Sequence, residues 1–257
     1  MAARSTPQQS PPPLRPLAPH LASLTRSCIA EPDTALAPQA AAKAWSHVDD
    51  LARRMEGEAD VQGDRATTSR RRVARFPVMK PLEQCRWDWP TRRNRLPGHN
   101  HGRVALLQAT STRIFLGGGG LGTPHLATAR GSPACLQGSA VLLARAIDGI
   151  NTLAAAKNAG RLKAELKKYT KPALLILDEL GYLPIDKTGA DLLFQVISQR
   201  YEQGAIVITS NRAFKHWSTI FNNDSTLTSA LLDRLLHHAD TAVIEGKSYR
   251  MKDQIEE

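Results

Sequence analysis

Asp178 and Glu179 follow the apolar run "ALLIL" (173–177) without a break. Two carboxylates at the end of a buried strand suit nucleotide hydrolysis: Asp178 can hold Mg²⁺ through its water shell, and Glu179 can polarise an attacking water. A solvated acidic turn before Gly181 is the plainer alternative. Upstream, "FLGGGGLGTPHLATA" (115–129) repeats the logic on the phosphate side, with the spacing Gly117-x4-Gly122 after another apolar run. That is the glycine frame of a Walker A loop, in which the backbone of Gly117, Gly118, Gly119, Gly120, Leu121, Gly122 and Thr123 cradles phosphates and the following helix start adds a positive dipole.

Only the frame is present. The lysine that would reach the terminal phosphates is replaced by Thr123, and the hydroxyl that would hold Mg²⁺ by Pro124, which also lacks an amide donor. A charge-assisted hydrogen bond is worth roughly 1.5–3 kcal/mol, so losing the lysine alone weakens triphosphate binding by about 10- to 150-fold. The same glycines also satisfy G-x-G-x-x-G at Gly117, Gly119 and Gly122, a dinucleotide fingerprint, and a run of four glycines fits many templates. The downstream acidic pair favours the phosphate loop, and no acidic ribose partner ends "AVLLARAID" before Asp148.

Other polar residues fall where such a site needs them. Asn211 follows the apolar run "AIVIT" and could position the attacking water, although asparagine is common beside turns for local reasons. Arg234, in "SALLDRLLHH", could reach the γ-phosphate of a neighbouring copy, or could be an ordinary solvated helix cation. His237 and His238 are adjacent, and adjacent residues do not share a helix face, which argues against a metal pair.

These residues require an α/β scaffold. Apolar runs at 113–116, 140–144, 173–177, 205–209 and 241–245 alternate with helical patterns at 125–130, 147–156, 161–169, 188–202 and 225–237. The alternation predicts a three-layer domain with a central parallel sheet over 105–257. Residues 1–69 read as a Pro/Ala-rich leader holding eight of the sixteen prolines, with one helix from Gln39 to about Met55 that the following Gly and Asp end. Residues 70–104 form a basic, Trp-containing segment with ten cations against Glu83 and Asp88. Arg70, Arg71, Arg72, Arg92, Arg93 and Arg95 are its candidate DNA contacts, joined by Lys247 and Arg250 near the C-terminus; a solvated basic linker is the alternative.

The net charge of +10 favours a polyanionic partner, nucleic acid before an anionic membrane surface. Three scattered cysteines without a CxxC pair suggest neither a disulfide framework nor a cysteine zinc site, and fit a reducing cytoplasm. No apolar stretch is long enough to cross a membrane, and the N-terminus lacks the apolar core of a signal peptide.

Taken together, "FLGGGGLGTPHLATA", "LLILDELGYLPIDKTGADLLFQVISQRYEQGAIVITSNRAF" and "TSALLDRLLHHADTAVIEGKSYRMKDQIEE" resemble the IstB-like helper ATPases of bacterial insertion sequences. The resemblance runs from about Phe76 to the C-terminus. It implies an AAA+ P-loop fold related to helicase loaders, binding of ATP and Mg²⁺, assembly into homo-oligomers on double-stranded DNA, and service to a cognate transposase. It also implies that Asp178 and Glu179 are the Walker B pair, Asn211 the sensor and Arg234 a finger acting in trans. Thr123-Pro124 departs from the family's Lys-Thr, and Gly and Pro in "ATARGSPACLQGSAVLLARA" stand where helix or strand formers are expected. Such departures over an intact second half suggest a decayed copy with impaired hydrolysis. A helicase loader of the same fold and a nucleotide-independent DNA-binding protein are the competing readings.

Overall fold

The computed structural model describes residues 36–76, 92–93 and 110–246. The chain divides into two compact units, residues 1–66 and 67–257.

α1 (Leu36–Ala42), in the first unit, gives way at a turn where Ala44 adopts φ 47° to α2 (His47–Ala74), whose last residues belong to the second unit. The expected single helix from Gln39 is therefore two helices, and the second does not stop at Gly57 or Asp60. Its start is secured by a capping box. Ser46 Oγ accepts from the Asp49 N–H at 3.1 Å, and the Asp49 carboxylate accepts from the Ser46 hydroxyl at 2.6 Å and from the Ser46 N–H at 3.2 Å. The Ser46 hydroxyl and amide hold the Asp49 carboxyl below the usual carboxylate range. An interior glycine costs a helix only about 1 kcal/mol, too little to end one that is capped and surrounded by good helix formers.

The second unit is the expected three-layer α/β domain. Strands β2 (Thr112–Gly117), β3 (Val141–Arg145), β4 (Leu174–Leu180), β5 (Ala205–Ser210) and β6 (Ala239–Glu245) form a parallel sheet in the order β6-β2-β5-β4-β3. A two-residue strand, β1 (Arg92–Arg93), pairs antiparallel with β6 at the edge. The helices are α3 (Thr123–Leu136), α4 (Ala146–Asn158), α5 (Leu162–Thr170), α6 (Lys187–Arg200), α7 (Trp217–Ile220) and α8 (Ser225–Leu236).

Why these runs are apolar throughout is visible in the core. Leu174 and Ile176 of β4, Val207 of β5 and Phe115 of β2 face a cluster with Leu126, Ala127 and Cys135 of α3. Their neighbours Leu175, Leu177, Ile206, Ile208 and Ile114 face the opposite cluster with Ile150, Leu166, Leu193 and Leu231 from α4, α5, α6 and α8. A strand covered on both faces cannot alternate apolar with polar. Gly131 and Pro133, which look out of place in the sequence, lie inside α3. A Cβ at Gly131 would meet Ile176 Cδ1 at 2.8 Å and Phe76 Cζ at 2.9 Å, so glycine there lets the helix pack closely on the sheet.

Candidate functional site

The glycine loop links β2 to α3, as the motif requires. Gly120 and Gly122 take φ 82° and 80°, the left-handed region that glycine enters without steric cost. Gly117 is glycine for a different reason: a Cβ there would lie 2.9 Å from the Ile244 carbonyl oxygen of β6 and 3.2 Å from the Thr123 methyl. Around Gly119 and Gly122 the space is open, with nothing within 4 Å of an added Cβ. Leu121 anchors the loop in the α3-side core. The frame therefore has the shape to receive an anion. Its side chains do not complete it: Thr123 is buried with its methyl against Gly117, and Pro124 in the first turn of α3 subtracts one amide from those that have no intrahelical partner. The Pro124 carbonyl is engaged by the Thr128 hydroxyl at 2.8 Å.

The acidic pair lies on a β-bulge. Pairing between β4 and β5 passes from Leu177 opposite Ile208 to Leu180 opposite Ser210, so Asp178 and Glu179 share the single residue Thr209 on β5. Thr209 serves both: its hydroxyl donates to Asp178 Oδ1 in a short hydrogen bond and accepts from the Glu179 N–H at 2.9 Å. Asp178 is thereby buried and fixed, whereas Glu179, at φ 59°, is turned outward with its side chain 44% exposed. The bulge thus gives two neighbouring carboxylates different environments. Arg145, at the end of β3 and in register with Asp178, places Nε 3.5 Å from Glu179 Oε2. Neither Thr209 nor Arg145 stands out in the sequence, because each looks like the ordinary polar end of an apolar run.

Asn211 is exposed immediately after β5. The turn that carries it is pinned by the Arg212 N–H donating to Ser210 Oγ at 3.1 Å and by the Nε1–H of buried Trp217 donating to the Arg212 carbonyl at 3.1 Å. Because β2, β4 and β5 are adjacent and parallel, the structure brings the glycine loop, Asp178, Glu179 and Asn211 together at the carboxyl end of the sheet.

Arg234 is not among them. It lines a small cavity with Thr110, Thr112 and Gly204, at the opposite ends of β2 and β5. There its guanidinium lies 4.8 Å from the Phe194 ring centroid, and Nη1 donates to the Ala230 carbonyl at 2.9 Å.

The basic candidates also separate. Arg70, half-buried near the end of α2, donates from Nε to the Cys135 carbonyl at 3.0 Å and from Nη2 to Thr67 Oγ1 at 2.9 Å, which ties α2 to the end of α3. Arg71 is half-buried and Arg72 exposed. Arg92 and Arg93 pair with Glu245 and Ile244 of β6, at the end of that strand where Ile244 also pairs with Gly117. Arg95, Lys247 and Arg250 lie outside the described residues.

Residues 20–257 match the family described as IstB-like ATP binding protein. An insertion sequence IS232 putative ATP-binding protein of Bacillus thuringiensis subsp. berliner is 36% identical over 208 residues, covering 81% of this chain and 83% of that one. The IS21 counterpart of Pseudomonas aeruginosa is 36% identical over 219 residues, covering 85% and 82%. Among solved structures, the DnaC helicase loader aligns over 55% of this chain and 85% of its own, at 23% identity and a TM-score of 0.47. With the family matched over nearly the whole length and the glycine loop and acidic bulge in their places, the chain belongs to the IstB-like ATP-binding proteins of insertion sequences.

Proposed function

We propose that this protein is an ATP- and DNA-binding helper of insertion-sequence transposition, assisting a cognate transposase, whose capacity to hydrolyse ATP is impaired. The observation that carries the reading is the asymmetry of the site: an intact acidic bulge faces a loop that keeps its glycine geometry and lacks its cation. In this reading the loop amides of 117–123 hold the phosphates. Asp178 holds Mg²⁺ through water, Glu179 orients the attacking water once released from Arg145, and Asn211 aligns it. Mg²⁺ would supply charge neutralisation between the phosphates.

Arg234 lies at the far end of the sheet from its own loop, so it can serve only a neighbouring subunit's phosphate. That placement supports a homo-oligomer assembled on double-stranded DNA. The exposed Arg72, together with Arg71, Arg92, Arg93, Arg95, Lys247 and Arg250, are the proposed DNA contacts; Arg70 is already committed to packing. Among the described residues no helix is long and apolar enough to cross a membrane.

The test is an equilibrium titration with a labelled ATP analogue, followed by ATP turnover with and without double-stranded DNA, on the native chain and on Thr123→Lys/Pro124→Thr. Restoring the cation should tighten binding by roughly 10- to 150-fold and raise turnover by at least as much. Robust turnover by the native chain would refute the impairment, and salt-dependent DNA binding indifferent to ATP in both chains would refute the nucleotide-dependent role.

A further inference from the structure

Glu202, His237 and His238 lie at the opposite end of the domain from the glycine loop and take no part in the function proposed above. Glu202 belongs to the turn after α6, while His237 caps α8 and His238 leads into β6. One donor atom from each lies within 4.8 Å of the others. Glu202 Oε1 is 3.9 Å from His237 Nδ1 and 3.7 Å from His238 Nε2. Metal–ligand bonds of about 2.0–2.2 Å in a tetrahedron put ligand atoms roughly 3.3–3.6 Å apart, so the two separations from Glu202 need only a few tenths of an ångström of closure and the third, within 4.8 Å, at most about 1.5 Å.

Consecutive residues share no face within a helix, but His238 is past the end of α8, in the turn that leads into β6, and the two imidazole centroids lie 4.1 Å apart. The sequence-based objection to a metal pair therefore does not apply.

The backbones that carry the donors are fixed before any ion arrives. The turn holding Glu202, at φ 57°, follows Arg200, whose guanidinium is locked to five carbonyl oxygens. The His238 carbonyl accepts from the Thr112 N–H of β2 at 3.0 Å, and the His237 N–H donates to the Asp233 carbonyl at 3.2 Å. The Tyr201 hydroxyl sits 2.6 Å from His237 Nδ1, the same nitrogen that faces Glu202, so a metal ion bound through Nδ1 takes the place of that hydrogen bond.

We propose that Glu202, His237 and His238 form a surface site for a borderline dication that favours two imidazoles and a carboxylate, with Zn²⁺ as the fitting ion. A fourth position stays open to water. Hard cations are disfavoured because two of the three donors are nitrogen.

The test uses the full-length chain without a histidine tag. ZnCl₂ is titrated calorimetrically, and CoCl₂ binding is followed by visible absorption. One ion should bind per chain, with the d–d bands of tetrahedral Co²⁺. His237→Ala/His238→Ala should weaken Zn²⁺ binding by more than about tenfold and abolish the bands, and Glu202→Gln should weaken binding at an unchanged circular dichroism spectrum. His99→Ala/His101→Ala, which removes the other closely spaced histidine pair of the sequence, should change neither. Zn²⁺ binding that is absent, that survives His237→Ala/His238→Ala, or that is lost in His99→Ala/His101→Ala would overturn the proposal. None of these outcomes bears on ATP binding, which is read separately.

Discussion

At the carboxyl ends of β2, β4 and β5 the chain turns polar groups outward, whereas at the amino ends of β4 and β5 it gathers them inward around one cation. The outward end holds the open glycine loop, the exposed Glu179 and the exposed Asn211. At the inward end Arg200, 1% exposed, donates to the carbonyls of Tyr169, Thr170, Pro172, Ala173 and Ala205 at 2.7–3.3 Å. Burial lowers its pKa to about 10, still well above neutrality, so the five carbonyl dipoles solvate a cation that has no carboxylate beside it among the described contacts. In a parallel sheet the two ends are inequivalent, and in this protein one carries exposed polar groups while the other is bonded internally. Substitution should therefore be tolerated better where a side chain faces solvent, as at Glu179 and Asn211, than where it is bonded internally, as at Arg200.

The largest effect is expected at Arg200. Arg200→Leu should remove at least about 3 kcal/mol of stability, measured by urea unfolding, because it orphans several buried carbonyls at roughly 1–3 kcal/mol each. A loss below about 1 kcal/mol would mean that the inward end is not what holds the strands.

On the outward end the expected effects are smaller and position-dependent. Gly117→Ala should cost about 1–3 kcal/mol, since its Cβ would press on the Ile244 backbone, while Gly119→Ala, pointing into open space, should leave the midpoint nearly unchanged. Equal effects at the two glycines would show that the loop is merely flexible.

Thr209→Val should destabilise by about 1–2 kcal/mol, leaving Asp178 Oδ1 and the Glu179 N–H without their shared hydroxyl, and Thr209→Ser should restore most of it. Serine and valine behaving alike would remove the hydroxyl from the account of the bulge. The effect of Arg145→Ala should also be small: its pair with Glu179 is exposed on both sides, so unfolding should shift by less than about 1 kcal/mol. A larger shift would place part of the cohesion on the outward end after all.

How much of this the sequence displays follows from the range of the interactions involved. α3 runs six residues past the expected 125–130 and the short α7 lies outside the expected runs. The five parallel strands and the four other expected helices fall within about three residues of the expected runs, because a strand buried on both faces must be apolar along its length. The same holds for the glycine loop, whose left-handed positions only glycine fills cheaply. The length of α2 is less legible: two interior glycines weaken a helix without ending it, and the turn at Ala44 carries no glycine or proline to announce it.

Long-range partners are not legible at all. Arg200 reads as a helix-terminal cation complementing the dipole, yet its acceptors lie in two other segments, about 30 residues upstream and 5 downstream. Thr209 becomes a positioning residue only because a bulge sets two residues of β4 against it. His237 and His238 meet Glu202 only because α6 and α8 end side by side.

The sequence by itself determined the α/β class, the family, the glycine loop with Thr123 and Pro124, and the acidic pair, since each is written in residue types at fixed local spacing. Tertiary structure alone decided that Asp178 and Glu179 differ in exposure, that Arg234 faces away from its own loop, and that one buried arginine joins the opposite end of the sheet. Those outcomes depend on which strands lie side by side and in what register, and register is set by packing across the whole core rather than by any single stretch of chain.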